Sequence, residues 1–196
     1  PKIRCRMNLP KGVSHIHSLK PGEMKGINII SLSLAASLLL LTSCRKKDPG
    51  LKDYFAGDFL IGTSMGASQV MDKDPRAKPF IIKNFNSITA ENAMKWERIH
   101  PRPGVYDFSV ADSTVAFALR NNMTMIGHVL VWHSQTPDWV FTDSLGKPLT
   151  RDALLERMRD HIFTVVGHFR GKVKGWDVVN EAVNEDGSLR KSKWLE

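Results

Sequence analysis

The sequence predicts an α/β fold built on a parallel sheet, and three observations lead to that prediction. Short apolar runs alternate with helical patterns along the chain after residue 50. These runs are continuously apolar, which is typical of parallel strands that are buried on both faces. Polar and aromatic residues follow directly after the runs, where sites lie in both doubly wound sheets and (β/α)8 barrels. The pattern alone leaves these two architectures open.

The strands are predicted from apolar runs that are bounded by turn residues. Each run is short, as expected for a strand rather than a buried helix, and each is separated from the next by a helical pattern. The predicted strands cover residues 59–63, 87–89, 125–130 and 175–179.

Helices are predicted between these strands from capping signals and from the hydrophobic period. One helix covers residues 77–84, and a second begins with the Ser-x-x-Asp signature at Ser109 and ends at Asn121. Thr150 is the predicted N-cap of a third helix, which ends before Gly171. The apolar residues of this third helix recur every four positions, at Leu154, Met158, Ile162 and Val166.

Composition and charge exclude several classes of protein. The 196 residues are 42% hydrophobic and 24% charged, with two cysteines, so a collagen-like, disulfide-rich or wholly disordered chain is excluded. The net charge of +8 is confined to residues 1–47, which hold nine Lys and Arg residues against one Glu. Residues 48–196 hold 19 basic and 19 acidic residues. Because residues 48–196 have no net charge, they produce no long-range electrostatic attraction for polyanions. We therefore expect no nucleic-acid partner.

The N-terminal region has the pattern of a secretion signal. No charged residue lies between Lys25 and Arg45, and most of residues 27–41 are Ile, Leu, Ala or Ser. Leu41-Thr42-Ser43-Cys44 resembles the lipobox of bacterial lipoproteins, which implies lipidation of Cys44 after cleavage. An ordinary signal peptide or a membrane-spanning helix is the alternative. Lipidation would hold the protein at the cell envelope, with the leaflet undecided.

These features divide the chain into four regions. We expect an upstream unstructured stretch over residues 1–23 and the lipoprotein signal over residues 24–44. A linker follows over residues 45–54, and the folded body covers residues 55–196.

The segment over residues 175–182 carries the strongest chemical signal. Its strand ends by placing Asn180 and Glu181 side by side. A glycosidase needs a carboxylic acid to protonate the leaving oxygen, and an amide can bond a sugar hydroxyl. The alternative is that both residues simply begin a solvated turn.

A second segment, residues 127–139, places two histidines and two tryptophans after a buried strand. Indole faces stack on sugar rings, while imidazole and Gln edges donate to hydroxyls; the alternative is aromatic packing at a barrel rim. His128 and His133 are five residues apart, which is no known zinc signature. The sequence also lacks the Gly-x-Gly-x-x-Gly and Walker motifs, so no metal, nucleotide or other cofactor is predicted, and a doubly wound oxidoreductase is disfavoured.

A third segment clusters three polar residues after the strand at residues 87–89. Glu91, Asn92 and Lys95 bring a carboxylate, an amide and an ammonium to one rim, which suits a polyol ligand. The alternative is an exposed helix start in which Glu91 and Lys95 form a pair four residues apart.

In their order along the chain and in their residues, the three segments resemble the motifs of the family 10 glycoside hydrolases, the endo-β-1,4-xylanases. The family patterns are Thr-x-Glu-Asn-x-Met-Lys-Trp, Gly-His-x-Leu-Val-Trp-His-x-Gln-x-Pro-x-Trp and Trp-Asp-Val-Val-Asn-Glu, and all three occur here. Residues 101–108 are similar to a further family segment, and the resemblance covers about residues 51–196. It implies a (β/α)8 barrel that is truncated after about four βα units.

The resemblance also implies a role for each matching residue. Glu181 matches the general acid/base at the end of strand four. The other matches are contacts to the sugars, at the scissile bond and on its non-reducing side. These substrate-binding residues are Glu91, Asn92, Lys95, His128, Trp132, Gln135 and Asn180.

The sequence departs from the family pattern in one respect. The family retains anomeric configuration, which requires a nucleophilic carboxylate, and the resemblance places that residue beyond position 196. We therefore expect this chain to be an N-terminal fragment of a xylanase acting on β-1,4-xylan or xylo-oligosaccharides, inactive and poorly folded by itself. The alternatives are a non-catalytic, lipid-anchored glycan-binding protein on a degenerate barrel, and a family member that acts on cellulosic substrates.

Overall fold

The computed structural model of the chain describes residues 48–195, and every structural statement below concerns those residues. The predicted upstream stretch, the predicted lipoprotein signal with Cys44, and the start of the predicted linker lie outside them. Within the described part of the chain, no helix has the length and apolar character needed to cross a membrane. The last four residues of the predicted linker, Leu51–Tyr54, form helix α1.

The described residues form a parallel sheet of four strands, whose spatial order is the same as their order along the chain. A doubly wound sheet reverses its strand order at a switch point, whereas a barrel adds each strand beside the previous one. The observed order therefore decides between the two architectures in favour of part of a barrel. The strands are β1 (Gly62–Met65), β2 (Ser87–Ala90), β3 (Thr124–Trp132) and β4 (Gly175–Asn180).

Helices connect the strands; within the described residues all three predicted helices are present, together with three four-residue helices that the sequence did not predict. Helix α3 covers the predicted residues 77–84, and α6 begins after Thr150, whose Oγ1 accepts a hydrogen bond from the Ala153 amide at 3.4 Å. The helices after α1 are α2 (Ala67–Val70), α3 (Ala77–Asn84), α4 (Trp96–Ile99), α5 (Ser109–Arg120) and α6 (Arg151–His168), with a 3-10 turn at Asp138–Val140.

The prediction for the first strand is wrong over its first three residues. Phe59 and Leu60 are exposed and lie outside the sheet, because the turn after α1 stacks Phe59 on Phe55 at a ring-centroid distance of 4.9 Å. Pairing with β2 begins at Gly62. The apolar residue Phe59 thus makes a hydrophobic contact but does not belong to a strand.

The hydrophobic core lies between the sheet and the helices that follow β2 and β3. Ile88 and Met125 of the sheet belong to one buried cluster with Val115 of α5 and with Val165 and Phe169, at the end of α6. The predicted apolar stripe of α6 faces this cluster, and three of its members pack against it: Met158, Ile162 and Val166.

The two outer strands of the described sheet, β1 and β4, each have a single neighbouring strand. Val178 and Val179 of β4 are 53% and 56% exposed, whereas Val129 and Val131 of β3 are buried. In a closed barrel, both outer strands pair with further strands and the apolar residues at this edge are covered.

Candidate active site

The candidate site lies at the carboxyl ends of β2, β3 and β4. Glu91 follows β2, Trp132 ends β3 and Glu181 follows β4. Because the strands are parallel, their carboxyl ends meet at one edge of the sheet, which is the edge that carries the active site in barrel enzymes.

A register shift between β3 and β4 brings two of these residues together. His128 pairs with Asp177, but Val131 pairs with Val179, so β3 uses one residue more than β4 over this stretch. A bulge of this kind re-aims the side chains that follow it. As a result Trp132 lies opposite Asn180, and its indole reaches the residue after Asn180.

Glu181 is held by both the conformation of its backbone and two side chains. Its φ of 53° lies in the left-handed region, which costs a residue other than glycine roughly 1–3 kcal/mol and is found most often at functional sites. The Trp132 Nε1–H donates to Glu181 Oε2 at 3.0 Å, and His133 Nε2 lies 3.6 Å from the same oxygen. The carboxylate is therefore anchored at one oxygen, while the side chain stays 47% exposed at the rim.

His128 is fixed by a contact across the β3–β4 pair. Its Nδ1 lies 3.0 Å from Oδ2 of Asp177, its partner in the strand register. The imidazole centroid lies 6.4 Å from the nearest Trp132 ring, so the two predicted substrate contacts adjoin each other. A neighbouring carboxylate that engages Nδ1 leaves Nε2 as the nitrogen available to a ligand.

Lys95 is the centre of a polar network between the β2 and β3 loops. It is only 8% exposed, and its Nζ donates to Asn92 Oδ1 at 2.8 Å while lying 4.5 Å from the Trp132 ring centroid. With its amide oriented to satisfy both neighbours, Gln135 accepts from Lys95 Nζ at 3.0 Å and donates to Glu97 Oε1 at 3.2 Å. A buried ammonium held in this way has a fixed position toward a ligand.

Glu91 approaches the backbone of the β1 loop. A Cβ atom at Gly66 would lie 2.5 Å from Glu91 Oε2, so any larger residue there would displace the Glu91 carboxylate from its present position. The Asn92 Nδ2 also lies within 3.4 Å of Glu91 Oε1, which links this carboxylate to the Lys95 network. All three residues of the third sequence segment thus lie together at one rim.

Residues 50–196 match the sequence model of glycosyl hydrolase family 10. The chain belongs to glycosyl hydrolase family 10. Its resemblance to this family and the expected (β/α)8 barrel are therefore confirmed, with the described residues forming part of that barrel.

Relatives with known names agree with this family assignment. The chain is 46% identical over 161 residues to endo-1,4-beta-xylanase A of Xylanibacter ruminicola, covering 82% of this chain and 44% of that protein. It is also 46% identical over 156 residues to exoglucanase XynX of Acetivibrio thermocellus, covering 76% of this chain and 14% of that one. The chain thus spans less than half the length of these relatives.

Solved structures give the same result for the fold. An intracellular xylanase from Thermoanaerobacterium saccharolyticum matches with a TM-score of 0.72 at 44% identity, over 77% of this chain and 49% of that one. A family 10 endoxylanase from a sugarcane soil metagenome matches with a TM-score of 0.72 at 42% identity, over 74% and 43% of the two chains. Other structures of the Thermoanaerobacterium xylanase contain xylotetraose or xylotriose.

The structure adds residues to the site that the sequence argument did not select. His133 was part of the second segment, and its position directly after Trp132 was the signal that could have identified it. Arg190 and Trp194 come from the chain after β4, where no period marks them. They line a cavity of about 160 Å³ together with Trp132, His133, Asn180 and Glu181.

Within residues 48–195, no group of three or more His, Cys, Asp or Glu is placed to hold a metal ion.

Proposed function

We propose that the protein is an endo-β-1,4-xylanase and that Glu181 is its general acid/base. The observation that carries this proposal is the position of the Glu181 carboxylate, which lies at the carboxyl edge of the sheet and is anchored by the Trp132 indole. The relatives named endo-1,4-beta-xylanase support xylan as the substrate. The xylo-oligosaccharides bound to the Thermoanaerobacterium enzyme give the same support.

The proposed reaction retains anomeric configuration in two steps. In the first, Glu181 gives its proton to the glycosidic oxygen while a nucleophilic carboxylate attacks the anomeric carbon and the carbon–oxygen bond breaks. In the second, ionised Glu181 takes a proton from water, whose oxygen attacks the anomeric carbon and releases the nucleophile. The mechanism requires about 5–5.5 Å between the two carboxyl groups.

The nucleophile is proposed to come from sequence that the relatives possess beyond the matched region. Because this chain covers 44% of the Xylanibacter xylanase, more than half of that relative lies outside the matched region and is available to carry it. We infer that residues 1–196 alone release no xylo-oligosaccharide, since protonation without a nucleophile does not complete the first step.

The remaining site residues are proposed to bind the substrate. Asn180 is proposed to bond the 2-hydroxyl of the sugar at the scissile bond, and the Lys95 ammonium, held by Asn92, is proposed to bond hydroxyls of the next sugar. The half-buried Trp132 ring is proposed to supply an apolar wall. The other proposed contacts are Glu91, Asn92, His128 and Gln135.

The proposal is tested by replacing Glu181 in the full-length protein. The Glu181→Gln variant cannot give or take the proton, so its kcat on xylan is expected to fall by about 10²–10⁴-fold while its affinity for xylohexaose is retained. Glu185→Gln, an exposed carboxylate on the same loop, is the matched control and should keep wild-type activity. Near-normal turnover of xylan by Glu181→Gln would contradict the assignment.

A cellulosic substrate is the second candidate, and the 46% identity to an exoglucanase favours it. Comparing kcat/KM of the wild-type protein on xylohexaose and cellohexaose separates the two. A protein that binds both oligosaccharides without cleaving either would instead support the non-catalytic glycan-binding alternative.

We also propose that Cys44 carries lipid and anchors the protein to the cell envelope. The support is the sequence pattern alone, a basic start, an uncharged apolar stretch and the Leu-Thr-Ser-Cys segment. Two or more acyl chains at one residue give firm anchoring where a single chain does not.

A further inference from the structure

The loop after β4 folds back on itself and returns to its starting point. Val183 and Leu189 form an antiparallel bridge, and the Asn184 amide donates to the Ser188 carbonyl at 2.8 Å. Gly187, at the tip, has a φ of 81°, a conformation that glycine adopts without strain. The loop is thus a short closed hairpin rather than an open connection.

The tip of this hairpin is stabilised by one carboxylate. Asp186 Oδ1 accepts hydrogen bonds from the Ser188 amide at 2.9 Å and from the Ser188 hydroxyl at 2.6 Å. These two bonds lower the pKa of Asp186 below its usual range. A closed tip fixes the direction in which the second arm of the hairpin returns toward the sheet.

The second arm of the hairpin places Arg190 beside the backbone of Glu181. The Arg190 amide donates to the Ala182 carbonyl at 2.9 Å, and its Nε–H donates to the Glu181 carbonyl at 2.8 Å. The second bond is charge-assisted, and such bonds are about twice as strong as neutral ones. It fixes the peptide plane that follows Glu181.

Glu181 is consequently held at two points, its carboxylate and its carbonyl. The end of β3 holds its carboxylate through Trp132 and His133, while the hairpin holds its carbonyl through Arg190. A left-handed backbone is disfavoured for glutamate, so the conformation persists only while its surroundings enforce it. Relaxation of φ would rotate the Cα–Cβ bond and draw the carboxyl group away from the Trp132 indole.

We propose that Arg190 is a positioning residue for the reaction, which holds the Glu181 backbone in the one conformation that presents the carboxyl group to the glycosidic oxygen. The inference rests on the proposed role of Glu181. Arg190 transfers no proton and acts through Glu181, so its removal reduces proton transfer more than it reduces substrate binding.

The kinetic test uses Arg190→Ala in the full-length protein. Because misplacement by about 1 Å costs about 10²-fold, kcat on xylan should fall about 100-fold with KM changed by less than about twofold. A 2,4-dinitrophenyl β-xylobioside needs no proton for its leaving group, so kcat/KM on it should fall by less than about fivefold. Azide attacks the anomeric carbon without losing a proton and therefore needs no general base, so it should restore kcat on that substrate.

Two further variants separate positioning from folding. Arg190→Lys keeps a cationic donor within reach of the Glu181 carbonyl, so its kcat on xylan should lie within about tenfold of wild type. Lys191→Ala removes the same charge from the next residue, which is exposed, and should behave as wild type. Equal losses of kcat/KM on xylan and on the dinitrophenyl substrate, or an Arg190→Ala variant as active as wild type, would overturn the proposal.

An NMR measurement tests the positioning role of Arg190 independently of the reaction. The indole N–H resonance of Trp132, assigned with Trp132→Phe, reports its hydrogen bond to Glu181. In Arg190→Ala it should move toward its position in Glu181→Ala, and in Arg190→Lys it should stay near wild type. If the wild-type protein fails to cleave xylan, the proposed function is wrong, but this resonance still tests whether Arg190 positions Glu181. An unchanged resonance in Arg190→Ala would refute the positioning role.

Discussion

Gly127→Ala tests how the packing of β3 on β4 sets the position of the candidate site. Gly127 lies opposite Trp176 in the register of the two strands. A Cβ atom at this position would lie 2.2 Å from Cε3, 2.4 Å from Cζ3 and 2.6 Å from Cδ2 of the Trp176 ring. These distances are far shorter than any ordinary carbon–carbon contact, so the ring or the strand must move.

The size of the effect follows from that movement. Restoring the shortest contact to about 3.5 Å requires a displacement of more than about 1 Å, and overpacking of a core by a single methyl group costs about 1–3 kcal/mol. The Trp176 ring also packs on Phe169 at a centroid distance of 6.0 Å, which restricts its escape. Since β4 leads directly to Glu181, a displacement of about 1 Å should also lower kcat by about 10²-fold.

The assay is urea unfolding of the full-length protein, together with kcat on xylan. Gly167→Ala is the matched control, since a Cβ there meets nothing within 4 Å in helix α6, and it should stabilise the protein by about 0.4–1 kcal/mol. Trp176→Leu should remove most of the penalty in the Gly127→Ala background, giving a coupling of about 1 kcal/mol or more. A Gly127→Ala protein of wild-type stability, or additive effects in the cycle, would refute the reasoning.

Two further predictions concern acid stability and membrane attachment. Burial lowers the pKa of His161 to about 3 and that of His100 to about 4, so below pH 6.5 the unfolded state binds protons that the folded state does not. Lowering the pH from 7.5 to 5 should therefore lower the free energy of unfolding by about 2 kcal/mol through His161 alone. His161→Phe, which retains the stack on Trp96, should have a shallower pH slope, and an unchanged slope would contradict the prediction. Cys44→Ser in the full-length precursor should abolish incorporation of radiolabelled palmitate, whereas retained label would contradict the lipid anchor.

Much of the fold could be predicted because local periodicity and caps mark the ends of its elements. The Thr150 cap and the stripe of α6 are local features, and each was sufficient to place its helix. The start of β1 could not be predicted in this way. Phe59 is as apolar as a strand residue, but its partner is Phe55, and that choice depends on a turn rather than on a period.

The candidate site could be predicted to a similar extent and for a related reason. The rule that sites follow parallel strands placed Glu91, Trp132 and Glu181 at one edge, where the structure has them. The register shift after His128 and the left-handed backbone of Glu181 could not be predicted. The first depends on the pairing of β3 with β4 and the second on contacts from β3 and from the loop after β4, which residue types at fixed spacing do not encode.

The proposed mechanism divides control of the two carboxyl groups between different parts of the barrel. The described residues fix Glu181, the proposed acid, through Trp132 at its carboxylate and Arg190 at its carbonyl. We propose that the distance to the nucleophile is set by the strand that pairs with β4 in a closed barrel, at the edge where Val178 and Val179 are exposed. Because retention needs about 5–5.5 Å between the carboxyl groups, we expect packing on these two valines to influence the reaction. On this proposal the position of Glu181 depends on contacts within the described residues, whereas the distance between the two carboxyl groups depends on closure of the barrel.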